Sequence, residues 1–201
     1  MTQMGSPEPR FSILFVCTGN ICRSPLAELL LCRSINTPEI TVYSAGTQAL
    51  VGHQMPEIQQ NIAMELGVRA PETHRAQQLT LQHVEAADLI LAMEREHRSE
   101  VVRLSPRALR RTFSLRELSR IVGIVQDEDL AFEQESSLVD NLKVLVEAAA
   151  VNRGLAVPFE YPADDDVVDP YRRSEQTYHE SRDQVVTALA AVIRYLNRAA
   201  V

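Results

Sequence analysis

Short apolar runs alternate with helical patterns along this chain, and this alternation restricts its fold more than any other feature. The segment Phe11–Val16 is apolar apart from Ser12, which is typical of a buried strand. Further strands are predicted at Ile40–Ser44 and Ala87–Met93, with a weaker one at Arg111–Phe113. Because strands separated by helices favour right-handed βαβ units, we expect one parallel sheet.

The segments between and after these strands have the apolar spacing of helices. The expected fold is therefore α/β, a small four-stranded parallel sheet flanked by helices on both faces in a Rossmann-like or flavodoxin-like three-layer sandwich. In such sheets, ligands bind at the carboxyl ends of the strands. The predicted helices are Pro25–Ile35, Pro56–Leu66, a charged helix from Glu94, Leu138–Arg153 and Glu175–Leu196.

The length of 201 residues suits one domain with a substantial core. Residues 1–10 are polar and are expected to be a flexible tail, with residues 11–201 forming a single domain. The stretch Ser119–Asp166 departs from the pattern because it mixes acidic residues with one helix. Since about 45 residues make a poor independent core, residues 119–166 are interpreted as an insertion in that domain.

The composition excludes several classes of function. The net charge of −7 gives no general electrostatic support for binding nucleic acid or a membrane surface. The apolar run after the tail is too short for a membrane span or a signal-peptide core. The chain has three cysteines, Cys17, Cys22 and Cys32, crowded into one region. This odd number argues against a disulfide framework and indicates a reducing, cytoplasmic environment.

The segment Val16-Cys17-Thr18-Gly19-Asn20-Ile21-Cys22-Arg23-Ser24-Pro25 is the most informative motif, since it joins a predicted strand to a predicted helix. Gly19 and Asn20 tolerate left-handed backbone angles, and Pro25 suits the first turn of a helix. A ring of inward N–H groups at a helix N-terminus binds a tetrahedral oxyanion, and Arg23 adds a fork for two phosphate oxygens. The predicted phosphate-binding loop comprises Thr18, Gly19, Asn20, Ile21, Cys22, Arg23 and Ser24.

The same positive environment favours a thiolate at Cys17, which would be the nucleophile beneath a bound phosphorus atom. Ser24 is placed to donate its hydroxyl to that sulfur and to stabilise it as a leaving group. Two other interpretations are open. A zinc site would need more ligands than Cys17, Cys22, Cys32 and five dispersed histidines provide. A structural Gly-Asn turn would leave the cysteines without a role.

These residues resemble the low-molecular-weight protein tyrosine phosphatases, whose signature loop matches residues 17–25 throughout. The resemblance implies that Asp169 is the general acid, that the reaction needs no metal or cofactor, and that Asn20, Ser24, Ser44 and His74 brace the loop. It also implies that Cys22 can form a disulfide with the nucleophile, which would make the enzyme redox-sensitive. Cys32 is expected to be a core residue. Further matching segments are Ser44–Thr47, His74–Gln77, Ala87–Met93 and Asp169–Tyr171.

The resemblance also implies a slot for a phosphotyrosine side chain above the loop. Tyr171 is expected to form one wall, and Leu50 stands where the family usually has a second aromatic residue. Ile21 favours phosphotyrosine, because relatives that act on phosphoarginine tend to carry threonine there. The expected substrate is a phosphotyrosine protein, with a bacterial tyrosine kinase of polysaccharide export as one candidate.

Two other functions on the same scaffold are weighed against a phosphatase. Arsenate reduction needs a downstream cysteine pair, and no cysteine follows Cys32. A non-catalytic phosphotyrosine-binding module would be expected to have lost Cys17, Arg23 or Asp169, and all three are present.

Overall fold

A sheet of four parallel strands forms the centre of the protein, in the order β2-β1-β3-β4. The computed structural model describes residues 11–35, 37–124, 137–155 and 160–198, so the predicted tail lies outside the described residues. The predicted α/β fold and all four predicted strands are confirmed. The strands are β1 Phe11–Cys17, β2 Ile40–Gly46, β3 Leu89–Ala92 and β4 Thr112–Ser114.

Helices follow each strand, as expected for a parallel sheet. Five correspond to the predicted helices, whereas α3 and α5 were not predicted. The six-residue α3 is too short to show a helical period, and the sequence interpretation had assigned the second half of α5 to the insertion. The helices are α1 Arg23–Ser34, α2 Glu57–Glu65, α3 Leu81–Ala86, α4 Arg95–Leu104, α5 Leu115–Ile124, α6 Leu138–Asn152 and α7 Glu175–Arg198, with 3₁₀ turns at Pro71–Thr73, Pro106–Arg111 and Pro162–Asp165.

Alternate side chains of β1 build two separate cores, one on each face of the sheet. Ile13 and Phe15 belong to the larger core, which α1, α5, α6 and α7 complete. Leu14 and Val16 belong to the smaller core, with Val84 from α3 and Val101 from α4. The strand is therefore buried on both faces, which explains its nearly continuous apolar run. In the described part of the chain, no helix has the length and hydropathy needed to cross a membrane.

The stretch interpreted as an insertion contributes to the larger core. Its first residues complete α5, and α6 buries Val139, Leu142, Leu145 and Ala149 against the other helices of that face. After α6, the Arg153 guanidinium stacks on the Phe113 ring at 4.2 Å and donates to the carbonyl oxygens of Thr112 and Leu109. Since β4 is an edge strand, Arg153 binds directly to the strand that would otherwise be the most open of the sheet. Residues 125–136 and 156–159 of this stretch lie outside the described residues.

Candidate active site

The loop between β1 and α1 lies at the carboxyl end of the sheet, where ligands of such folds bind. Strand β1 ends at Cys17 and α1 begins at Arg23, so the nucleophile candidate and the arginine are separated by one tight turn. Asn20 takes a left-handed φ of 54°, as expected for a turn that directs successive N–H groups to one side. The first turn of α1, with Ser24 and Pro25, closes the loop.

The carbonyl groups of this loop point outward and are bound by neighbouring segments. The loop after β2 donates three backbone N–H groups to them, and the Nε2 of His74 donates to a fourth. In a trans peptide the carbonyl and the next N–H point in opposite directions, so these contacts direct the amides of residues 18–21 toward the inside of the loop. The contacts are Thr47 N to Cys17 O (2.9 Å), Gln48 N to Thr18 O (3.0 Å), Leu50 N to Gly19 O (3.0 Å) and His74 Nε2 to Asn20 O (2.8 Å).

A close backbone approach at Gly46 makes these contacts possible. Gly46 is the last residue of β2 and lies beside Cys17 in the sheet. A Cβ atom at this position would lie 2.4 Å from the Thr18 carbonyl oxygen, well inside any normal contact. Glycine is therefore required here by space, because the loop after β2 packs directly against the phosphate loop.

A buried hydrogen-bond network holds the Asn20 side chain and, through Ser24, reaches the sulfur of Cys17. The Asn20 Nδ2 donates to Ser24 Oγ at 3.0 Å and to Ser44 Oγ at 2.7 Å, while its Oδ1 accepts from the Gln77 backbone N–H at 2.8 Å. Ser44 donates in turn to Glu28, whose pKa burial raises. The structure thus brings together the four predicted bracing residues. It adds Glu28 and Gln77, which the sequence interpretation did not assign.

Two hydrogen-bond donors converge on the sulfur of Cys17, which is almost completely buried. The Asn20 N–H lies 3.3 Å from Sγ, and Ser24 Oγ lies 3.0 Å from it. Because Asn20 Nδ2 already occupies Ser24 Oγ as an acceptor, the Ser24 proton is directed toward the sulfur. Both contacts place a hydrogen-bond donor against the sulfur.

The Arg23 side chain is buried at the start of α1 and held on several sides. One nitrogen pairs with Glu94 and donates to the Val167 carbonyl at 2.9 Å. The other lies 3.4 Å from Thr18 Oγ1 and 3.3 Å from Asp169 Oδ1. Burial would lower the pKa of this guanidinium, but the negative charges of Cys17, Glu94 and Asp169 outweigh burial and raise it. Arg23 is therefore a permanent, preorganised positive charge beside the loop.

His97 on α4 is a site residue that the sequence interpretation missed. Its Nε2 lies 2.8 Å from Thr18 Oγ1, and the ring is 3% exposed. Burial, assisted by the positive charge of Arg23, lowers its pKa to about 4, so the ring is neutral near pH 7. A single histidine in a charged helix gives no sequence signal for this role. The contact joins residues 79 positions apart.

The loop that carries Asp169 is tied to three helices. Asp165 pairs with Arg120 on α5, and Asp166 pairs with Arg95 on α4 at 3.0 Å. The Val168 N–H then donates to the Gln184 side chain on α7 at 2.8 Å. The Asp169 carboxyl is about half exposed and lies at the rim of the site. These ties fix a solvent-accessible carboxyl group next to the buried guanidinium.

A cavity of about 120 Å³ lies above the phosphate loop. Leu50 and Tyr171 line it on the walls, as the sequence interpretation expected, together with Gln48, which it did not assign. Cys22 also lines the cavity, and burial together with the nearby Cys17 raises the pKa of its thiol to about 12. A larger groove of about 610 Å³ between α5 and α7 contains none of the phosphate-loop residues. The loop residues that line the cavity are Cys17, Thr18, Gly19, Ile21, Cys22 and Arg23.

Two further sequence interpretations concern cysteine and metal. The prediction that Cys32 is a core residue is wrong, because its side chain is exposed. The neighbouring residue Leu31 points into the core, and one position along a helix turns a side chain by about 100°. Within residues 11–35, 37–124, 137–155 and 160–198, no cluster of three or more histidine, cysteine or acidic side chains has the arrangement of a metal site.

Comparison with known proteins identifies the family. A family profile described as low molecular weight phosphotyrosine protein phosphatase matches residues 12–128. The chain is 46% identical over 95 residues to the probable low molecular weight protein-tyrosine-phosphatase AmsI of Erwinia amylovora, and this match covers 47% of the chain and 64% of AmsI. It is 35% identical over 129 residues to the low molecular weight protein-tyrosine-phosphatase Ptp of Acinetobacter johnsonii. This match covers 64% of the chain and 89% of Ptp.

A solved structure shows the same fold over most of the chain. The YwlE arginine phosphatase from Geobacillus stearothermophilus aligns with a TM-score of 0.66 and 26% identity, covering 94% of each chain. In sequence, the chain spans just under two thirds of the length of the first curated relatives, at 64% and 62%. The profile and the shared fold agree with the loop geometry. The chain belongs to the low molecular weight phosphotyrosine protein phosphatase family.

Proposed function

We propose that this protein is a protein-tyrosine phosphatase that hydrolyses phosphotyrosine through a phospho-cysteine intermediate at Cys17. One observation carries the proposal. The Cys17 sulfur lies inside a ring of inward amides, with the Arg23 guanidinium and the Asp169 carboxyl 3.3 Å apart beside it. A nucleophile, an anion site and a proton donor thus meet in one cavity. Membership of the family supports the same reaction.

In the first proposed step, the phosphate binds the loop amides and Arg23, and the Cys17 thiolate attacks phosphorus in line. A sulfur–phosphorus bond forms while the bond from phosphorus to the tyrosine oxygen breaks. Asp169 gives its proton to that oxygen, because an unprotonated phenolate leaves more slowly near neutral pH. The products are tyrosine and the phospho-cysteine enzyme.

In the second proposed step, a water molecule attacks phosphorus and loses a proton to the Asp169 carboxylate. The phosphorus–sulfur bond breaks and the electron pair returns to Cys17 as a thiolate. The Ser24 hydroxyl and the Asn20 N–H, 3.0 and 3.3 Å from that sulfur, stabilise it as the leaving group. Inorganic phosphate leaves and the loop is restored.

The wall residues support phosphotyrosine as the substrate. Tyr171 offers a ring on which a phenyl group can stack, and Leu50 offers an aliphatic surface opposite. The likeness to the YwlE arginine phosphatase supports phosphoarginine as a second candidate, whereas Ile21 in the cavity favours phosphotyrosine. A phosphotyrosine protein, such as a tyrosine kinase of polysaccharide export, is the proposed partner. We place the reaction in the cytoplasm because three cysteines crowded into residues 17–32 do not form the pattern of a disulfide framework.

Redox control is part of the proposal, since Cys17 and Cys22 line the same cavity. Oxidation would join the two sulfurs and remove the nucleophile, and a thiol reductant would restore it. Hydrogen peroxide should therefore inactivate the enzyme, and dithiothreitol should return the activity. In the Cys22→Ser variant, prolonged peroxide treatment should carry Cys17 beyond the sulfenic acid, so dithiothreitol should return less of the activity.

The direct test is the hydrolysis of p-nitrophenyl phosphate by wild type, Cys17→Ser and Asp169→Asn, with EDTA present. Cys17→Ser should abolish activity, and Asp169→Asn should lower kcat by roughly 10²–10⁴. Cys32→Ser is the matched control, because Cys32 is exposed, and it should retain wild-type activity. An active Cys17→Ser protein, or activity that EDTA alone removes, would contradict the mechanism. Parallel assays with phosphotyrosine and phosphoarginine peptides decide between the two substrates.

A further inference from the structure

We infer that Arg172 and Arg173 form a basic rim at the cavity mouth that selects acidic residues next to the phosphotyrosine. This inference rests on the proposed function. Both residues follow Tyr171, which lines the cavity. The rim would therefore meet the part of a substrate peptide that emerges from the slot.

The backbone of the rim has an unusual and fixed conformation. Arg172 takes a left-handed φ of 59°, one of three positive values among the described non-glycine residues. Such a conformation is costly for a side chain with a Cβ, so its neighbours must hold it. The Arg173 N–H donates to the Pro170 carbonyl at 2.9 Å, and the Tyr171 N–H donates to the Asp169 carboxylate at 3.3 Å. The turn is thus tied to the cavity itself.

The left-handed turn also determines where the charge lies. The Arg172 guanidinium sits over the Tyr171 ring, 5.1 Å from its centre. A phosphotyrosine ring stacked on Tyr171 would therefore have this guanidinium nearby. Residues one or two positions from the phosphotyrosine would come within its reach.

The rim is not neutralised by neighbouring carboxylates. Arg172 and Arg173 are both exposed, and neither forms an ion pair with any residue that the structure describes. The nearest acidic groups along the chain are Asp169, which lies against Arg23, and Glu175, which forms no described ion pair with either arginine of the rim. Two exposed positive charges without a described ion-pair partner at the mouth of the site favour an acidic partner.

The expected size of the selection follows from the exposure of the rim. Exposed ion pairs are weak and screened by salt, so two of them should raise kcat/KM for an acidic peptide by roughly three- to tenfold. The preference should fall as ionic strength rises. It concerns the residues beside the phosphotyrosine and leaves the phosphate site unchanged.

The test compares two phosphotyrosine peptides that differ only in carrying Glu or Gln on both sides of the phosphotyrosine. The quantity measured is the ratio of kcat/KM for the Glu peptide to that for the Gln peptide, in which changes common to both peptides cancel. Wild type should give a ratio of roughly three to ten at low salt. Arg172→Gln combined with Arg173→Gln should bring the ratio close to one, and Arg172→Lys with Arg173→Lys should largely restore it.

Arg107→Gln is the matched control. Arg107 is exposed and precedes β4, so it lies at the amino end of the strands, opposite the site. This variant should keep the wild-type ratio. A wild-type ratio of one, or a ratio unchanged by the loss of both arginines, would refute selection of acidic residues by the rim. Either result would leave the phosphatase assignment intact. If wild type hydrolyses neither peptide, the proposed function and the rim fail together.

Discussion

Replacing Gly46 with alanine should disable the enzyme by displacing the phosphate loop. The new Cβ would lie 2.4 Å from the Thr18 carbonyl oxygen, 3.0 Å from the Asn20 nitrogen and 3.1 Å from the Ala49 Cα. All three are backbone atoms, which have no rotamer to change, so the two loops must separate. Real Cβ contacts are essentially never shorter than 3.0 Å, so the distance from the new Cβ to the Thr18 oxygen must grow from 2.4 Å by at least 0.6 Å.

The magnitude follows from two separate effects of that shift. Overpacking of this kind costs about 1–3 kcal/mol, and a chain of this size loses roughly 2–4 °C in Tm per kcal/mol. Displacing a catalytic group by about 1 Å costs up to roughly 10²-fold in rate, so a shift of this size should lower kcat about 10- to 100-fold. The loss should be in kcat more than in folding, because the contact lies beside the nucleophile.

The assay is steady-state hydrolysis of p-nitrophenyl phosphate together with thermal unfolding. Gly123→Ala is the matched control, because nothing lies within 4 Å of its added Cβ and Gly123 is within α5. That variant should keep full activity and gain about 0.5–1 kcal/mol of stability, as alanine favours a helix. Wild-type kcat and Tm in Gly46→Ala would refute the idea that the loop after β2 holds the phosphate loop in place.

Three further predictions concern the groups around the loop. Burial lowers the pKa of His97 to about 4, so between about pH 6.5 and 4 the unfolded chain binds a proton that the folded protein does not. The contribution of His97 to stability is therefore complete above about pH 6.5 and is lost as the pH falls toward 4. In urea unfolding, His97→Gln should reduce the loss of unfolding free energy on acidification by up to about 3 kcal/mol. An unchanged loss would contradict this role of His97. Asn20→Ala removes three side-chain hydrogen bonds and should lower the free energy of unfolding in urea by about 2–4 kcal/mol, with most of the activity lost. A stable, active variant would show that the network is dispensable. Since the pKa of Cys22 is raised to about 12, iodoacetamide near pH 7 should label Cys17 before Cys22, as peptide mapping would reveal, and the opposite order would contradict the assignment.

Much of the fold and the loop could be predicted because their signals are local. The strand, the turn and the helix around Cys17 and Arg23 are contiguous, so their residue types specify the geometry directly. The alternation of strands and helices likewise determined the parallel sheet, and this prediction is confirmed. The weak strand Thr112–Ser114 was found because it follows the same pattern.

The partners that reach the loop from distant segments could not be predicted. Glu94 pairs with Arg23 across 71 positions, and His97 reaches Thr18 across 79. Neither residue stands out in the charged segment formed by Glu94 and α4. The exposure of Cys32 was missed for a related reason, since the limits of the buried stripe on α1 depend on what packs against it. Likewise, the sequence showed α6 as a helix but not that Arg153 would bind directly to β4.

The phospho-cysteine itself tests the central claim most directly. Wild-type enzyme turning over radiolabelled phosphotyrosine peptide can be quenched rapidly in denaturant, digested and mapped. We predict that the phosphoryl label is on the peptide containing Cys17, and that it is absent from Cys17→Ser and Arg23→Ala. A label on another residue, or turnover that leaves none on Cys17 under conditions that preserve a thiophosphate ester, would contradict the account.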